Sequence, residues 1–197
     1  MDSMTIKESI AAWEAIRPDS TLLLNYLDQG NFFTFEFPDY PKESPAIHAY
    51  PGIYEGKLYF FLIPSAYDTQ EYSEEINKYT TVCPIRFLLG GEEDRITDIE
   101  AKKRINAWKK NYKTWVPVQV ASQTGIFMAF SIPSQDFECL DAQVTFGLKV
   151  KPEMPGGYEV DLIVTNNMGK QIYYDDFVTS VPPFSASLLP HSFYLLP

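Results

Sequence analysis

Residues 7–38 read KESIAAWEAIRPDSTLLLNYLDQGNFFTFEFP, and residues 102–133 read KKRINAWKKNYKTWVPVQVASQTGIFMAFSIP. Aligned without a gap at a shift of 95, the two stretches share 8 identities in 32 positions, where this composition gives about two by chance. Lys7, Ile10, Ala12 and Trp13 return as Lys102, Ile105, Ala107 and Trp108, and Gly30, Phe32, Phe35 and Pro38 return as Gly125, Phe127, Phe130 and Pro133. The expectation is an internal duplication, with a first α+β repeat over 1–90 and a second over 95–197. The two repeats are either separate or packed as one compact unit. The alternative is a single domain whose similar pieces reflect common physics.

The matching patterns say more than the matching letters. Ile6, Ile10 and Trp13 fall at i, i+4 and i+7, the apolar stripe of an amphipathic helix, and Ala101, Ile105, Trp108 and Tyr112 repeat that stripe. Asp2 and Thr97 stand where N-caps belong, Thr97 forming a capping box with Glu100. Pro18 forbids continuation of the first helix. Phe33, Phe35 and Phe37 alternate with Thr34 and Glu36, and Met128, Phe130 and Ile132 alternate with Ala129 and Ser131 in the same phase. A one-residue slip would invert every side chain, so the shared phase predicts equivalent strands.

Turn-like stretches precede both strands, Asp28-Gln29-Gly30-Asn31 and Ser122-Gln123-Thr124-Gly125, and apolar stretches precede the turns at 21–24 and 116–120. Each unit thus reads as a helix, a β-hairpin and a proline stop, with a short helix over 22–27 as the alternative. Further hairpins are expected at 47–54 with 58–63, across Glu55-Gly56, and at 142–150 with 158–164. Strands are expected at 171–174 and at 82–89, the latter pushed to an edge by Pro84. The halves meet near Gly90-Gly91-Glu92-Glu93-Asp94. The fold class expected is α+β: mostly antiparallel sheet in two similar helix–hairpin–hairpin halves, with one amphipathic helix in each.

Composition narrows the functional classes. A chain of 197 residues with 45% hydrophobic and 15% aromatic residues can build a substantial core. A net charge of −10 works against general nucleic-acid binding. The apolar run at 58–63 is too short to span a bilayer, and residues 1–8 carry no apolar signal core, so a cytoplasmic protein without membrane partners is expected. Cys83 and Cys139 supply neither a disulfide framework nor a CxxC motif.

No nucleotide, metal or nucleophile motif emerges, and no catalytic residue or cofactor is assigned. His48, beside Asp39, Glu43 and Glu55, and His191 lack zinc-site spacing. Asp175-Asp176 and Glu92-Glu93-Asp94 read as solvated turn acids. The second helix concentrates six of the sixteen basic residues. Lys102, Lys103, Lys109, Lys110 and Lys113 form its candidate interaction surface, where Glu8 and Glu14 of the first helix have become Lys103 and Lys109. The segment 185–197 is apolar enough to pack back on the body or to form a homodimer contact. The leading functional expectation is a non-catalytic protein that binds an unknown protein or small ligand, with a cleft between the halves as the natural site. The alternatives are a hydrolase using His48 with carboxylates, and an acidic inhibitor or immunity-type protein.

Overall fold

The structure is a computed structural model and describes residues 1–36, 38, 40, 42–87, 99–169, 172–176, 178–182 and 193–197. Helix α1 (Ser3–Ile16) begins where Asp2 accepts the Thr5 N–H at 2.7 Å, and it ends just before Pro18. Helix α2 (Ser20–Leu27) is capped by Asp19, which accepts from the Thr21 and Leu22 amides at 2.9 and 3.1 Å. A single turn, α3 (Ile76–Tyr79), follows later, and α4 (Ile99–Val120) is the long helix of the second half.

Nine strands are described: β1 (Phe32–Glu36), β2 (Ala46–Tyr54), β3 (Lys57–Pro64), β4 (Thr81–Pro84), β5 (Ala129–Pro133), β6 (Asp141–Val150), β7 (Tyr158–Asn167), β8 (Ile172–Asp175) and β9 (Thr179–Val181). They form two antiparallel sheets, ordered β1-β6-β7-β8 and β4-β3-β2-β5-β9. The class is therefore α+β, and the β2–β3 and β6–β7 hairpins stand where the sequence placed them.

The first hairpin of each half is corrected. Residues 21–24 and 116–120 are helical, so neither β1 nor β5 has a local partner. Leu23 and Leu27 bury at helical spacing behind the Asp19 cap. In α4 the stripe simply continues: Trp115, Val116 and Gln119 are buried while Val118 is exposed, the opposite of an alternating strand. One helix per half is likewise corrected, since α1, α2 and α3 all precede residue 88. The Thr97 cap and the junction at 90–94 lie outside the described residues.

The two orphan strands exchange. β1 pairs with β6, Phe33 opposite Val144 and Phe35 opposite Ala142, while β5 pairs with β2, Ile132 opposite Ile47 and Phe130 opposite Ala49. Each sheet therefore draws on the other side of residues 88–98: one takes β1, and the other takes β5 together with its partner β9. Between the sheets lies one apolar core, with Phe33, Phe35, Phe60, Phe130, Phe146, Leu162 and the indoles of Trp13 and Trp108. The outer faces carry smaller clusters, Ile6 and Ile10 with Phe61 and Ile63 on one sheet, and Ala101 and Ile105 with Ile163 on the other.

Each long helix crosses a strand at a glycine. A Cβ on Gly52 would stand 3.0 Å from the Ser9 carbonyl carbon and 2.5 Å from the Phe61 ring, and one on Gly147 would stand 3.3 Å from Arg104 Cβ. Ser9 and Arg104 are 95 apart, as are Gly52 and Gly147. Gly52→Ala is expected to lose about 1–3 kcal/mol through overpacking, and Gly147→Ala less, because its contacts are longer. Urea unfolding of both variants checks the ordering, and equal or absent losses would refute the close crossing.

Candidate functional site

Exchange of β1 and β5 forces two connections to cross between the sheets, β1 to β2 through 37–45 and β5 to β6 through 134–140. An open groove of about 620 Å³ lies beside them, lined by Pro38, Tyr40, Lys42, Glu43, Ser44, Pro64 and Leu140. Its volume is that of a small-molecule site. Tyrosines hold the first crossing in place. Tyr67 stacks on Tyr79 at 3.9 Å, Tyr72 meets both edge-on at 5.0 and 5.4 Å, and Tyr40 lies 5.9 Å from Tyr67.

Four hydrogen bonds tie the connection to this frame, one of them a long 3.5 Å bond donated by Lys42 Nζ to the Ala66 carbonyl. The Lys42 amide donates to Tyr67 Oη at 2.8 Å, Tyr40 Oη donates to the Tyr79 carbonyl at 3.2 Å, and the Ala66 amide donates to Ser44 Oγ at 3.1 Å. Lys42 Nζ lies 5.5 Å from the centre of the Tyr72 ring. Lys42 forms no ion pair among the described residues, so the groove presents one cation on an aromatic and proline wall. Sequence reasoning missed Lys42, because one lysine in a Tyr- and Pro-rich connection follows no period.

The structure gives His48 a partner different from Asp39, Glu43 and Glu55. Its Nδ1 lies 2.6 Å from Asp68 Oδ2, and Tyr50 Oη donates to the same oxygen. All three side chains are buried, and Phe193 stacks on the imidazole at 3.9 Å. Burial, reinforced by Asp68, holds the Tyr50 phenol well above its usual pKa. Asp68 Oδ1 and Ser65 Oγ are buried without a partner among the described residues. His191 lies outside the described residues, and among those described no group of three His, Cys, Asp or Glu side chains could hold a metal ion. Burial, with Glu36 adding to it, pushes the Cys83 thiol up to about 12, which disfavours a reactive thiolate. Asp175 accepts from Asn166 Nδ2 at 3.1 Å, so it is part of a side-chain network rather than a bare turn acid.

The five candidate lysines of α4 divide. Lys103 and Lys110 line a second groove of about 390 Å³ between the helix and the β6–β7 hairpin. Lys113 is tied to Asp28 at 3.0 Å, which raises its pKa. Lys102 and Lys109 line neither groove. Arg104, outside the candidate set, is instead the engaged cation, donating to Asp161 Oδ2 at 2.8 Å and to Asp176. Burial works against its charge, but the two aspartates outweigh it and raise its pKa. The segment expected to fold back or to dimerise contributes Phe193 and Leu195 to the cluster over β2 and β3; residues 185–192 of it lie outside the described set.

No protein-family model, curated protein or solved structure matches this chain. No described helix is long and apolar enough to cross a membrane.

Burial raises the Asp161 carboxyl to about 6 against the attraction of Arg104. A carboxyl raised on folding adds stability that is complete below its unfolded pKa and is lost as pH climbs through about 6. Arg104→Met removes the cation and leaves the ionised carboxylate buried alone, at a cost of about 3 kcal/mol. The loss should be larger at pH 8 than at pH 5, where protonation relieves it. Urea midpoints at the two pH values check this, and a pH-independent loss would contradict it.

Proposed function

We propose that this protein is a non-catalytic binding protein whose ligand site is the groove between the sheet crossings. The observation that carries the reading is Lys42, a cation without an ion pair among the described residues, mounted on a tyrosine frame at the mouth of a ligand-sized groove. Proline, tyrosine and leucine walls favour an apolar or aromatic body, and Lys42 favours an acidic group at its end. Glu43 on the same lining repels a second acid. The ligand is thus a small aromatic or aliphatic monoacid. The paired strands, helix crossings and 95-residue register support reading the scaffold as a duplicated unit with exchanged first strands.

A thermal-shift panel of aromatic monocarboxylates, their amides and matched dicarboxylates tests the site. At tenfold excess over Kd, a bound monoacid should raise the Tm by about 3–6 °C. Lys42→Met should abolish the shift while lowering the unliganded Tm by no more than about 2 °C, since Lys42 Nζ makes only a long bond to the Ala66 carbonyl and a 5.5 Å approach to the Tyr72 ring. A shift equal for acid and amide, or retained in Lys42→Met, would count against the proposal.

The short His48–Asp68 bond supports a second reading, a hydrolase with His48 as base and Asp68 orienting it. Phe193 covers the ring, so this reading requires that segment to move. Turnover of an ester panel by the native chain that disappears in His48→Gln would favour it over the binding role.

A further inference from the structure

We infer that the groove between α4 and the β6–β7 hairpin is a docking surface for an acidic linear peptide segment with an apolar side chain among its carboxylates. The chain carries a net charge of −10, yet α4 holds six of its sixteen basic residues and a single acid, Glu100. Most of this charge could have been structural, and part of it is. Arg104 is consumed by Asp161 and Asp176, and Lys113 by Asp28.

Lys103 and Lys110 are left. Lys110 has no ion pair among the described residues. Lys103 reaches Glu100 only at 3.5 Å, with both side chains more than half exposed, a geometry that adds little stability. The two lysines are seven residues apart on one helical face, hence about 10 Å from each other along the axis. Both overlook the same apolar floor of Leu148, Val150 and Tyr158, where Val150 is 58% exposed.

Cations flanking an exposed apolar floor fit carboxylates flanking an apolar side chain. About three residues of extended chain span the distance between the lysines. The aliphatic stems of the lysines add apolar wall to the groove. The equivalent of Lys103 in α1 is Glu8, so the other half of the same scaffold does not repeat this charge pattern. Two available lysines on an otherwise acidic chain fit a short acidic segment far better than a polyphosphate, whose length would meet repulsion from the rest of the surface.

The test is fluorescence anisotropy of the full chain with a set of labelled synthetic 12-residue peptides. Each places Leu, Phe or Trp between Asp or Glu at varied spacing, with Asn/Gln versions and acid-only versions as controls. Acidic–apolar peptides should bind above both controls, with affinity falling as salt rises. Lys103→Glu/Lys110→Glu should weaken binding about tenfold or more, and Val150→Asp should do the same with both lysines intact. Lys102→Glu/Lys109→Glu, on the neighbouring flank, and Lys42→Met, in the other groove, should change it by less than about twofold. All the substituted side chains lie at the surface, and unchanged urea midpoints confirm that each variant is folded. The proposal is overturned if no acidic–apolar peptide exceeds its amide control, if both lysine pairs weaken binding equally, or if a labelled oligothymidylate binds more tightly than every peptide.

Discussion

Neither sheet is complete without a strand from the far side of residues 88–98. β1 closes the edge of the β6–β7–β8 meander, and β5 sits beside β2 in the other sheet. This exchange is the constraint on which the rest depends. A strand that pairs away from its own half must be followed by a connection that crosses between sheets, and the chain makes that crossing after β1 and again after β5, besides the later passage from β8 to β9. The crossings line the larger groove, and the exchange also draws the inward faces of both halves into one core, where Phe33 stacks on Phe60 and Trp108 on Phe146. Long-range pairing of this kind binds the halves more strongly than surface docking would, because backbone hydrogen bonds and buried aromatic area are shared.

The helices obey a second constraint. Each starts on the outer face of a sheet and delivers a tryptophan to the central core, so its backbone must pass close to a strand. Gly52 and Gly147 supply the room, at the same 95-residue offset as the helical residues they meet. Identity of letter and identity of role are nonetheless different matters. Gly30 is needed because a Cβ would lie 2.4 Å from the Arg86 carbonyl oxygen, whereas Gly125 is needed for its φ of +68°. The two halves also differ on their outer faces. His48 and Tyr50 on β2 engage Asp68, while their counterparts at the 95-residue shift, Gln143 and Thr145, bond each other at 3.0 Å.

Local physics was legible in the sequence. Asp2, Pro18, the two long hairpins and the phase of Phe33 and Phe35 could be read because caps, prolines and alternation act within a few residues. Strand partnership could not. The Gly30 stretch resembles a hairpin turn, and nothing nearby records that Phe35 will face Ala142. The alternating valines at 116, 118 and 120 imitate a strand, and only the continuing Trp115, Val116 and Gln119 stripe shows a helix. The candidate sites divide in the same way. The lysine cluster was visible as composition, but Asp68 meets His48 only through a turn twenty residues on. Lys42 gained its place from tyrosines scattered over residues 40–79.

Adjacent residues on α4 show how the scaffold converts position into role. Arg104 stands at the Gly147 crossing, where the helix is nearest the sheet, and Asp161 and Asp176 lie within its reach. Lys103 is rotated by about 100° on the helix and stands on the exposed side of the hairpin groove that both residues line. A guanidinium can make two directed bonds at a crowded crossing, whereas a lysine ammonium on a flexible stem suits an exposed rim. The same acidic background acts on both. It offers a buried and a partly exposed aspartate, Asp161 and Asp176, to the cation at the crossing and leaves the cations at the rim without strong internal partners. The strand exchange builds the grooves, and the distribution of acids decides which of their cations remain available to a ligand.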